Sequence, residues 1–128
     1  MPIIDHADSP QLEMRPGITG RFLANKALGS TAVSLLVNTV EPGAEAPLHT
    51  HTVEETMLVL EGSVWAQVGA ERFHVGPNHT VVIPPHTAHA WGNSGSEVAK
   101  LLWAFAGADP FADATYLEGT APKHQVED

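Results

Sequence analysis

Short apolar runs separated by turn residues make up most of this chain. Residues 33–40 form a run rich in branched side chains that stops at Glu41-Pro42-Gly43, the pattern of a strand ended by a turn. Further strands are predicted at 57–60, 63–68, 71–75, 80–83, 88–91 and 100–105. Gly69-Ala70 reads as a tight hairpin turn. Gly76-Pro77-Asn78, Pro84-Pro85 and Asn93-Ser94-Gly95 supply the remaining punctuation. Strands at roughly ten-residue spacing point to an all-β sandwich or barrel. No segment keeps a helical period for more than two turns. The expectation is a single domain over 1–128, with a core barrel at about 17–106 and irregular arms at 1–16 and 107–128.

The candidate chemistry lies in the run from His49 to Thr56, H-T-H-T-V-E-E-T. On a strand, residues i and i+2 share a face, so His49 and His51 can aim at one point. A carboxylate from the next strand and His89 from another hairpin would complete a cluster of three His and one Glu. Such a set suits one divalent transition ion, Fe, Ni, Mn, Zn, Co or Cu. It does not suit Ca or Mg, which prefer oxygen cages.

Composition narrows the alternatives. A length of 128 residues allows one real core. A formal charge of −9 argues against nucleic-acid binding. No stretch approaches the ~20 apolar residues of a membrane span. No basic-then-apolar leader is visible at the N-terminus. The chain has no cysteine, which removes disulfides, thiolate ligands and a Cys nucleophile. A cytoplasmic location is the default expectation.

The spacing Gly43-x5-His49-x-His51-x3-Glu55-x6-Gly62 resembles the first motif of the cupins at every fixed position. The second motif aligns as Asn78-x5-Pro84-x-His86-x2-His89-x3-Asn93, with Asn78 and His86 standing where the family has glycine. The interval between the motifs is similar to that of small single-domain bacterial cupins. The resemblance implies a jelly-roll barrel, the cupin double-stranded β-helix, with the metal inside it near one mouth. Carried over, the ligands are His49, His51, Glu55 and His89. Glu54 is the rival to Glu55, but on an extended strand it would face the other way. Asn tolerates positive φ, so Asn78 can hold its turn. His86 either lines the metal pocket or points to solvent.

Met57 and Val59 share the parity of Glu55 and should point inward, Met57 beside the metal. Trp91 lies two residues past His89 and is expected on the same face. On the next strand, Trp65 and Gln67 compete with Val64 and Ala66 for the interior. One alternating set among 101–105 is interior. His74 and His79 read as surface residues, and His6 and His124 as solvated arm residues. Arg21, Lys26 and Arg72 are possible contacts for an anionic substrate.

Two functions stand. One is a metal-dependent enzyme, dioxygenase-like, in which Glu55 and His86 move protons and Met57 and Trp91 line the substrate pocket. Isomerase, cyclase or lyase chemistry is a variant of it. The other is a non-catalytic module that binds a small molecule or a metal. The expected partners are a small-molecule ligand and a second copy in a homodimer, with no nucleic acid and no membrane.

Overall fold

The structure, a computed structural model, describes residues 3–112 and 114–123. Eleven strands are present among the described residues: β1 (Gln11–Arg15), β2 (Ile18–Ala24), β3 (Ser34–Val40), β4 (Glu45–Thr50), β5 (Glu55–Glu61), β6 (Val64–Val68), β7 (Glu71–Val75), β8 (Thr80–Ile83), β9 (His89–Gly92), β10 (Ala99–Phe105) and β11 (Thr115–Tyr116). They form an antiparallel six-stranded sheet, β1-β2-β3-β10-β5-β8, and a five-stranded sheet, β11-β4-β9-β6-β7. This is the all-β jelly-roll barrel expected. Helical structure among the described residues is confined to 3₁₀ turns at His6–Asp8 and Lys26–Leu28.

Alternation decides which side chains meet between the sheets. β3 buries Leu36, Asn38 and Val40; β5 buries Glu55, Met57 and Val59; β10 buries Leu101, Trp103 and Phe105. On β6 the inward pair is Val64 and Ala66. Trp65 instead faces outward, where the Arg72 guanidinium lies 3.7 Å over its ring.

The arms are more regular than the sequence suggests. β1 lies within the expected N-terminal arm and pairs with β2, which in turn pairs with β3. The segment through Leu28 is therefore part of its own barrel. The cause is a short alternation, with Leu12 and Met14 facing the core, bracketed by Pro10 and Pro16. At the other end β11 pairs with β4, and the Lys123 N–H donates to the Met14 carbonyl at 3.0 Å. The C-terminal segment thus straps one end of the barrel. His124 lies outside the described residues.

Candidate metal centre

Three strands bring the motif residues together. His49 on β4 is the registered cross-strand partner of His89 on β9, so both rings leave the same face of the five-stranded sheet. His51 follows β4 by one residue. Glu55 opens β5 in the opposite sheet, in register with Phe105 and Ile83. One ligand atom from each of His49, His51, Glu55 and His89 lies within 4.8 Å of all the others, and all four residues are buried. Glu54 is exposed, which leaves Glu55 as the carboxylate of the cluster.

The tautomers follow from the surroundings. Nδ1 of His49 donates to the Pro47 carbonyl at 2.7 Å, that of His51 to Pro110 at 2.7 Å, and that of His89 to Thr87 at 2.9 Å. A carbonyl can only accept, so each Nδ1 carries the proton and each neutral ring keeps its Nε2 lone pair. For His51 and His89 that lone pair meets the Glu55 carboxylate. His89 Nε2 lies 2.9 Å from Oε1, and His51 Nε2 lies 3.5 Å from Oε2. Neither His89 Nε2 nor Glu55 Oε2 has a hydrogen-bond partner among the described residues. Buried acceptors turned toward one another are costly unless a cation lies between them. Ligands about 2.1 Å from one ion and at right angles are about 3 Å apart, which fits these spacings. The four residues could therefore hold a divalent transition ion. Burial, then electrostatic repulsion with the neighbouring His89, pushes the pKa of His49 down to about 3, which keeps its ring neutral and available as a ligand.

A family model described as a cupin domain matches residues 36–105. The chain belongs to the cupins. Auxin-binding protein 1 of Arabidopsis thaliana is 32% identical over 114 residues, covering 80% of this chain and 58% of that protein. The chain spans about half the length of the curated relatives it matches. Among solved structures, oxalate decarboxylase from Bacillus subtilis superimposes with a TM-score of 0.77 at 20% identity, over 89% of this chain and 31% of that one. A polyketide cyclase of Streptomyces resistomycificus gives 0.75 at 20% identity, over 94% and 87%.

A narrow cavity is lined by three of the four cluster residues of this cupin, His49, His51 and Glu55. Its free space is ≈ 30 Å³, room for about two water-sized groups. Ile18, Leu36, Trp91, Trp103, Phe105 and Phe111 supply apolar wall. Trp91 is among its lining residues. Met57 is not: it is fully buried and packs in the core beyond Glu55. His86 is also misplaced in the pocket reading. It sits at φ 62° where the motif has glycine, and that left-handed turn leaves its side chain exposed. Its contribution is through the backbone, since its N–H donates to the His51 carbonyl at 2.8 Å.

Two polar residues of the cavity were not anticipated. Tyr116 stacks on His49 with ring centroids 4.8 Å apart, and the Arg15 guanidinium lies 5.2 Å over the Tyr116 ring. Burial pushes the Tyr116 hydroxyl pKa up, against the pull of Arg15. Arg15 ends β1 at a register shift in its pairing with β2, and no local signal ties residue 116 to residue 49. Of the cations expected to meet an anion, Arg72 stacks on Trp65 on the outer face. Lys26 borders a separate cavity of ≈ 590 Å³, and Arg21 lines neither of these two cavities.

Proposed function

We propose that this cupin is a metal-dependent enzyme acting on a small organic molecule, with His49, His51, Glu55 and His89 as ligands to one divalent transition ion. The observation that carries the reading is the convergence of imidazole lone pairs on a carboxylate, all buried, beside a cavity with apolar walls. Such an ion would act as a Lewis acid on an oxygen donor and, if redox-active, would support dioxygenase-like chemistry at positions the protein leaves open. The chain's own residues do the rest. Glu55 is the carboxylate placed to accept a proton from a bound ligand. Trp91, Trp103 and Phe105 exclude water and confine the ligand to a compact, planar shape. Ligands with two oxygen donors, such as an enediol or a small β-dicarbonyl, suit such a centre. Isomerase, cyclase or lyase chemistry would use the same centre.

A second reading is a binding module without catalysis. It is favoured by the similarity to auxin-binding proteins and by the exposure of His86, which takes one acid–base group out of the cavity. Two measurements separate the readings. Elemental analysis of protein purified without an affinity tag should find about one transition ion per chain, and a His51→Ala, His89→Ala double variant should lose it. Oxygen uptake by metal-loaded protein with compact enediols and β-dicarbonyls, against a His49→Ala control, should then appear for an enzyme. Metal retention in the double variant would remove the four-residue metal assignment and the enzyme reading that rests on it. Metal binding with no turnover across the panel would leave the binding module.

A further inference from the structure

We propose that the second cavity, the one bordered by Lys26, binds a small zwitterion with an apolar body, the chemistry of an apolar amino acid. Its free space of ≈ 590 Å³ lies in the range of small-molecule sites. It shares no lining residue with the cavity at the metal centre, so it is a site apart from the metal.

Three segments build this cavity, and a hydrogen bond holds each of them. Ser9, ahead of β1, donates its hydroxyl to the Phe22 carbonyl on β2. Asn25 accepts the Leu28 N–H on its side-chain oxygen at 3.0 Å, which fixes the 3₁₀ turn after β2. The Lys26 N–H donates to the Ala108 carbonyl at 2.8 Å. That bond ties the turn to the segment that follows β10. Walls set before a ligand arrives lower the ordering cost of binding it.

The lining selects the ligand. Pro10, Leu12, Phe22, Leu28, Ala108 and Pro110 offer carbon. Phe22 belongs to the core, and Leu12 and Leu28 pack against it, so the floor of the cavity is apolar. An apolar side chain laid on that floor removes its surface from water. Only two lining residues are charged, Lys26 and Asp109, and they have opposite signs. Both are exposed, so a ligand can reach them. Among the described residues neither forms an ion pair, with the other or with a third group. The bond from Lys26 to Ala108 sets the two residues on adjoining backbone, where one ligand can meet both. An anion would gain Lys26 and be repelled by Asp109, and a cation would meet the reverse. A zwitterion satisfies both charges. Asn25 lines the cavity too, and with its oxygen spent on Leu28 it keeps an NH2 group to donate to the ligand's carboxylate.

The test uses the full chain labelled with ¹⁵N, as purified and again with a chelator, because an amine and a carboxylate also ligate transition ions. The probes are phenylalanine, glycine, phenethylamine (no carboxylate) and 3-phenylpropionate (no ammonium). The readouts are the backbone amide resonances of Ala27, Leu28 and Ala108. Phenylalanine should move them saturably in both samples. Glycine should bind about tenfold or more weakly, for want of the apolar body. Each singly charged analogue should bind about threefold more weakly than phenylalanine, the size expected of an exposed ion pair. Lys26→Gln should erase the advantage over phenethylamine and keep that over 3-phenylpropionate. Asp109→Asn should do the opposite. Both positions are at the surface, so the fold should survive either change. Immobile resonances, a response lost in chelator, glycine as good as phenylalanine, or charge preferences that survive both substitutions would overturn the proposal.

Discussion

His49 and His89 are registered partners across β4 and β9, and their ring centroids stand 4.2 Å apart. Both Nδ1 protons are committed to backbone carbonyls. Metal-free protein therefore keeps neighbouring lone pairs buried together, and a shared cation would relieve that cost. Bound metal should stabilise the fold by mass action, by about 2.7 kcal/mol at a hundredfold excess over its Kd. That corresponds to several degrees in Tm for a domain of this size. Calorimetry with and without a chelator should show the shift. His89→Ala should remove most of it.

Acid should destabilise the metal-free protein through His49. Its pKa is lowered from 6.5 to about 3 in the folded state. Between those values the unfolded chain takes up a proton that the folded chain refuses, so protons favour unfolding. Stability should fall as pH drops from about 6.5 toward 3, by up to about 1.4 kcal/mol per pH unit. Urea midpoints measured across that range in the presence of a chelator should trace the slope. His49→Gln should flatten it, and an equally steep slope in that variant would count against the assignment.

The strands and the metal cluster were legible because both depend on local spacing. Gly and Pro mark the ends of β3, β6 and β8. Parity alone picks Glu55 over Glu54 and puts Met57 and Val59 inward. The motif positions also have local causes. Gly62 sits at φ 76°, where an added Cβ would lie 2.8 Å from the Val98 carbonyl oxygen. Asn93 is buried and spans the turn with bonds to Val40, Glu97 and Gly95. What escaped depends on long-range pairing. β1 is five residues between prolines and is stabilised by β2. Tyr116 reaches His49 through the β11–β4 pairing, which has no signature near either residue. The direction of His86 depends on a backbone angle that its neighbours impose.

Because His86 projects into solvent, its side chain should be dispensable for the metal. His86→Gly restores the family residue at a left-handed position. It trades relief of strain against the extra freedom of glycine in the unfolded chain. Stability should change by no more than about 1 kcal/mol. Metal content should stay at the wild-type value. Loss of metal in this variant would mean that His86 reaches the site in solution.

The last expectation is that the protein forms a homodimer through the outer face of its six-stranded sheet. The N-terminal segment pairs within its own barrel, so it need not be exchanged between copies. The outer face instead carries an apolar patch bordered by Arg21 and Lys100. Leu102 on β10 pairs with Val37 on β3 and Leu58 on β5, and Ala104 pairs with Leu35. Leu60 and Val82 extend the patch and are 49% and 55% exposed. β8, at the sheet's edge, reads T-V-V-I and carries no charge, whereas β1 and β7 carry Glu and Arg. An uncharged edge and an exposed apolar patch invite association, and a two-fold axis would let the patch cover itself. Light scattering at micromolar concentration should give twice the chain mass of 13.6 kDa. Leu58→Asp with Leu102→Glu should give monomers that keep their metal. A wild-type monomer at that concentration would reject the dimer.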